Sequence, residues 1–142
     1  MLKKATASDS EFAYQVKKVS FRKYVEQVWG WDEDEQRELH QRRFASQDFK
    51  VIQSEGVDVG IIATVKETDH IRINQLFILP EFQRKGIGKA CMMQIIKDAT
   101  ALILPIRLQV LKVNAGAYEF FQRLGFRKTG ESDTHILMER QV

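Results

Sequence analysis

The stretch Leu76-Phe77-Ile78-Leu79-Pro80-Glu81-Phe82-Gln83-Arg84-Lys85-Gly86-Ile87-Gly88-Lys89 decides the fold. An apolar run ends in proline, a polar turn follows, and two glycines one residue apart open a segment that runs to Lys97 with few helix breakers. The pattern predicts a strand, a turn, a phosphate-binding loop and a helix. Glycines at the mouth of a helix let the backbone come close to a ligand. The unpaired N–H groups of the first turn, with the helix dipole behind them, make an anion site. Arg84, Lys85 and Lys89 bring positive charge to the same place.

Spacing separates the phosphate-binding motifs that compete for such a stretch. A dinucleotide fingerprint needs a small residue three positions after the second glycine, where this chain has Cys91. A nucleotide P-loop needs Ser or Thr after Gly-Lys, where this chain has Ala90. The pattern Q/R-x-x-G-x-G/A is met by Gln83, Gly86 and Gly88. Here the chain resembles the GNAT superfamily of acyl-CoA-dependent N-acetyltransferases, whose loop of this form cradles the pyrophosphate of coenzyme A.

Upstream, Phe49 to Ser54 reads as a strand, Glu55-Gly56 as a turn, and Val57 to Val65 as a second strand with alternating apolar positions. The strand ending at Ile78 should then put Ile71, Ile73, Gln75 and Phe77 on one face and Leu76 and Ile78 on the other. Short turns join these three into an antiparallel meander. Downstream, the helix of Ile87, Ala90, Cys91, Met92, Ile95, Ile96 and Ala99 is apolar enough for burial, with Cys91 as a packed thiol. Ile106 to Leu111 can lie parallel to the Leu76 strand by a right-handed crossover. Asn114 caps a short helix closed by Gly125, and two strands finish the chain.

Towards the N-terminus, Leu2 to Thr6 reads as a short strand. Ser8 with Glu11 has the form of a capping box before a helix that Gly30 ends. Asp32 with Glu35 starts another, poor in apolar residues and expected to lie mostly exposed. Lys17-Lys18 and Arg22-Lys23 read as a solvated face of the first helix. His40 falls on the exposed helix and His70 in a turn. The order is β, α, α, β, β, β, α, β, α, β, β. The resemblance implies this α+β order: a mixed, mostly antiparallel sheet flanked by about four helices, in one domain spanning 1–142.

The resemblance also implies a site. Acetyl-CoA would be the acyl donor, with Arg84, Lys85, Gly86, Ile87, Gly88 and Lys89 on its phosphates. Backbone groups of Leu76, Phe77 and Ile78, exposed where that strand leaves its neighbour at a bulge, would pair with pantetheine and the acetyl oxygen. Asn114-Ala115-Gly116-Ala117-Tyr118-Glu119-Phe120-Phe121-Gln122-Arg123-Leu124-Gly125-Phe126 resembles a second family element. In it, Asn contacts pantetheine and a Tyr protonates the leaving thiolate. Counting back from Gly125-Phe126 puts Phe121 where that Tyr belongs. Tyr118, one turn earlier, is the candidate acid; the alternative is Phe121 against the cofactor with water delivering the proton.

Proton removal from the amine calls for a carboxylate, a His or an ordered water. Asn74 and Gln75 stand where some relatives carry Glu, leaving Glu33, Asp32 and His135 as candidates. Trp29, Trp31 and Asp32 read either as a hydrophobic plug with helix N-terminal acids or as the wall that receives a cationic amine. The acceptor would be a small-molecule or peptide amine. Phe121 and the missing strand carboxylate also leave open a binding-only module that senses acyl-CoA.

Composition narrows the setting. A chain of 142 residues can bury roughly 70% of its unfolded surface in one core. The single cysteine excludes an intrachain disulfide. Met1-Leu2-Lys3-Lys4-Ala5-Thr6 has no apolar leader, and no run is long enough for a membrane helix, so a cytoplasmic protein without a membrane partner is expected, as monomer or homodimer. Net charge is +3 and the isoelectric point is about 9.0, but the basic residues are scattered among nearly as many acids, so no nucleic-acid partner is expected. No metal site is expected.

Overall fold

The computed structural model describes all of residues 1–142. Its elements are β1 (Leu2–Lys4), α1 (Ser10–Val28), α2 (Glu33–Ser46), β2 (Asp48–Ser54), β3 (Val57–Lys66), β4 (Ile71–Ile78), α3 (Ile87–Leu102), β5 (Ile106–Leu111), α4 (Ala115–Arg123), β6 (Arg127–Glu131) and β7 (His135–Arg140). The order is the one expected. The strands form one sheet in the order β1-β2-β3-β4-β5-β7-β6, antiparallel except where β4 meets β5. No helix is long and apolar enough to cross a membrane.

The helix entrances follow local capping chemistry. Before α1, the Thr6 N–H donates to Asp9 Oδ2 at 2.9 Å, so the box forms two residues earlier than Ser8 and Glu11 suggest. Glu11 is drawn elsewhere, to Arg37 at 2.9 Å. After α1, Gly30 turns the chain at φ +80°, with its N–H donating to the Glu26 carbonyl. Asp32 then caps α2 by accepting the Glu35 N–H at 3.0 Å.

β4 departs from regularity. Ala63 pairs with Gln75 and Thr64 with Ile73, so Asn74 is an extra residue opposite β3. Such a bulge flips the alternation of everything beyond it. Ile71 and Ile73 therefore share a face with Leu76 and Ile78, in the core beneath α3 and α4, while Phe77 joins the core beneath α1. The even alternation expected through Gln75 is corrected by one residue. Just past the bulge, β3 and β4 come so close that a Cβ on Gly60 would lie 2.4 Å from the Phe77 carbonyl oxygen.

On the other side of β4, parallel pairing with β5 is confined to Ile71 with Ile106 and Arg72 with Arg107. Beyond them the strands part. One core, with Met92, Ile95, Ile106, Leu108, Phe121 and Met138, lies on the α3 and α4 side of the sheet; a smaller one, with Ala13, Val16, Phe49, Ile61 and Ala63, lies under α1. Lys17, expected on a solvated face, is buried between α1 and the rest of the protein, and His40 and His70 are buried as well. Lys17 follows Ala13 and Tyr14 by one turn and shares their inward side.

Candidate active site

The loop after β4 is tied back by its first polar residue: Gln83 Nε2 donates to the Ile78 carbonyl at 2.8 Å. Arg84 and Gly86 then take positive φ, +62° and +79°, turning the backbone towards α3. Arg84, Lys85 and Gly86 donate no backbone hydrogen bond, and the first α3 bond runs from the Ala90 N–H to the Gly86 carbonyl. The N–H groups of Ile87, Gly88 and Lys89 are thus left without helical acceptors. A Cβ on Gly88 would sit 3.5 Å from Phe120 Cζ, so the bare glycine leaves a slot between the start of α3 and α4. Free donors, a slot and exposed Arg84, Lys85 and Lys89 suit a phosphate-bearing ligand.

Where β4 leaves β5, a cavity of about 760 Å³ opens. Its walls include Asn74, Gln75, Leu76 and Phe77 from β4, Leu108 to Leu111 from β5, Asn114, Ala117 and Phe121 at α4, and His135 from β7. Trp29, Gly30, Trp31 and Asp32 close one end, and Lys17, Gln36, Leu39 and Arg43 form the wall made by α1 and α2. Of the expected β4 backbone contributors, Leu76 and Phe77 border this space. The Ile78 carbonyl is occupied by Gln83.

Among the candidates for proton transfer, His135 faces the cavity beside Trp29, with ring centroids 6.0 Å apart. Its Nδ1 is 2.8 Å from Thr134 Oγ1, and partial burial lowers its pKa below the usual histidine value. Glu33 does not border the cavity. Trp31 Nε1 donates to it at 2.8 Å and Lys18 lies 3.1 Å away; these hydrogen bonds, Trp31's first, hold its carboxyl down to about 2. Asp32 borders the cavity but uses Oδ1 to cap α2.

On α4, Asn114 Oδ1 accepts the Ala117 N–H at 3.2 Å, fixing the helix start at the cavity edge. Phe121 is buried and reaches the cavity; Tyr118 packs against the core and does not border it. Cys91 is also buried, and burial pushes its thiol up to about 11, which suits packing and not nucleophilic attack. Sequence reasoning missed Lys17, Gln36 and Arg43. Residues 36, 39 and 43 recur at helical spacing, a signal of one shared face, but nothing local says what that face meets.

Comparison with known proteins gives one consistent result. Residues 12–126 match the model of the acetyltransferase (GNAT) family. Among solved structures, the fold is similar to that of the PaiA N-acetyltransferase of Thermoplasma acidophilum in complex with coenzyme A. That match has 18% identity and a TM-score of 0.82, and covers 100% of this chain and 98% of that one. It is similar also to the ribosomal-protein-S18-alanine N-acetyltransferase of Escherichia coli, at 16% identity and TM-score 0.77, covering 100% and 93%. A GNAT family acetyltransferase of Elizabethkingia anophelis with acetyl-CoA bound matches at 14% identity and TM-score 0.76, covering 100% and 97%. No curated protein sequence matches.

Proposed function

The chain belongs to the acetyltransferase (GNAT) family, and from that premise we propose that it moves the acetyl group of acetyl-CoA directly to a primary amine while both are bound. Its acyl donor is acetyl-CoA, which supplies an activated thioester carbonyl. The observation that carries the reading is the parting of β4 from β5 immediately upstream of the loop with free N–H groups. That parting leaves one edge of β4 without a strand partner beside the cavity. The Phe77 N–H, two residues from the Leu79 N–H that donates to the Val59 carbonyl, turns towards β3. Leu76, of opposite parity, is the cavity-lining residue whose N–H can polarise a carbonyl there.

Every remaining task but thiolate protonation has a residue. Arg84 to Lys89 hold phosphates, mainly through backbone N–H. Asn114, at the α4 start, lies on the pantetheine side, and Phe121 packs there. With Nδ1–H donated to Thr134 Oγ1, His135 Nε2 is free to accept the amine proton, directly or through water. Its lowered pKa keeps it in the neutral form that this role requires. Glu33, held ionised by Trp31 and Lys18, serves to position Trp31. No tyrosine borders the cavity, so the departing thiolate takes its proton from water.

That same lack of a tyrosine favours a second reading, an acyl-CoA-binding module without efficient turnover. Release of free thiol from acetyl-CoA, followed across a broad amine panel, separates them. Saturable, amine-dependent release is expected. Tight acetyl-CoA binding with no release above the solvent rate for any amine would support the binding module instead.

A further inference from the structure

Most lysines and arginines of α1 and α2 are partnered, Lys23 by the Tyr24 ring 4.9 Å away. Lys18, Arg22, Arg37 and Arg42 each pair with a carboxylate, from Glu33, Glu26, Glu11 and Glu38 respectively. Lys17 and Arg43, the two that border the cavity, have none. Lys17 is only 4% exposed, and its Nζ has one neutral partner, Gln36 Oε1 at 3.2 Å. The Arg43 guanidinium makes no side-chain hydrogen bond and lies near enough for its charge to act on Lys17.

In the same cavity, on β4, Gln75 is 3% exposed and both its side-chain amide atoms lack a partner. A buried ammonium, an unpaired guanidinium and an orphaned amide lining one cavity are each costly alone. A ligand oxyanion in that cavity would neutralise the cations and accept the Gln75 N–H. The N-terminal end of α2 brings the converse charge to the cavity lining, with Asp32 and Glu35 following Trp31.

Resting on the acyltransferase reading above, we propose that the acceptor carries an oxyanion as well as its amine, and that Lys17, Arg43 and Gln75 hold that oxyanion at the inner wall. The acceptor class is then an amino acid, a short peptide or an aminoalkyl phosphate, and not a polyamine.

The test uses the full chain with matched acceptors: glycine, L-leucine and glycylglycine against their carboxamides, phosphoethanolamine against ethanolamine, and spermidine as the cationic control. Turnover with acetyl-CoA is measured, and calorimetric binding of the same amines to protein saturated with coenzyme A gives a readout independent of turnover. The expected result is a KM or Kd about tenfold or more lower for the oxyanion-bearing member of a pair. The carboxylate and phosphate pairs distinguish the two sources. Lys17→Met and Arg43→Gln should each bring the ratio to within about twofold of one while coenzyme A affinity is retained.

Equal binding within every pair, a preference for spermidine, an unchanged ratio in the variants or their loss of coenzyme A affinity would each overturn the proposal. Failure of the wild-type protein to bind acetyl-CoA would instead strike the acyltransferase reading, and calorimetric binding of the same amine pairs to the protein alone would then judge the oxyanion site.

Discussion

Gly88 and His135 are the residues on which the chemistry is most directly testable. At Gly88 any side chain projects towards Phe120, and an indole has no room there without filling the slot between α3 and α4. Gly88→Trp should abolish acetyl-CoA binding in calorimetry while the circular dichroism spectrum stays that of the wild type; retained binding would show the loop misassigned. His135→Gln should keep acetyl-CoA affinity and lower kcat/KM by roughly 10² or more, the usual range for a lost general base. As the proposed base, the histidine would work only when neutral, and burial lowers its pKa from the ordinary 6.5. In the wild type the limb due to this group should therefore fall as the pH drops below 6.5, and the Gln variant should lack it. The loop glycines were legible in the sequence because their motif is local. The roles around His135 were legible only as a choice among acids and bases, because the partners that tie up Glu33 arrive from Trp31 and from α1.

At the scale of elements, the bulge and its neighbour govern the site. One extra residue at Asn74 redirects Leu76, Phe77 and Ile78, and no feature of Arg72-Ile73-Asn74-Gln75 announces it, since the alternation looks intact until β3 sets the register. Strand existence and order were readable from period and turns; the face of each residue beyond the bulge was not. Gly60 holds this geometry by letting β4 come close. Gly60→Ala must push the Phe77 carbonyl away, at a cost of about 1–3 kcal/mol by urea denaturation, and should weaken acetyl-CoA binding through displaced β4 backbone. Unchanged stability would mean that the strands have slack there.

For the molecule as a whole, Lys17 sets a site against stability. Its ammonium is desolvated by burial and repelled by Arg43, which brings its pKa from the ordinary 10.5 down to about 8. Below pH 8 the folded protein bears the full cost of that buried charge, about 3 kcal/mol at most, and the cost fades as pH rises towards 10.5, where the unfolded chain also loses the proton. Lys17→Met should raise stability at pH 7 and flatten the rise between pH 8 and 10.5 in denaturant titrations. Sequence put Lys17 on a solvated face, because burial is a property of the assembled helices and not of the Lys17-Lys18 pair. The short contact between β4 and β5 has a separate consequence. Only two registered residue pairs stitch the β1-to-β4 half of the sheet to the β5-to-β7 half, so this seam is the place for the halves to breathe. On the proposed placement of coenzyme A against the free edge of β4, amide hydrogen exchange should slow on both borders of the seam at once when it binds. Bound so, the donor would double as a mechanical splint, and the protein should be stiffest when it is loaded to react.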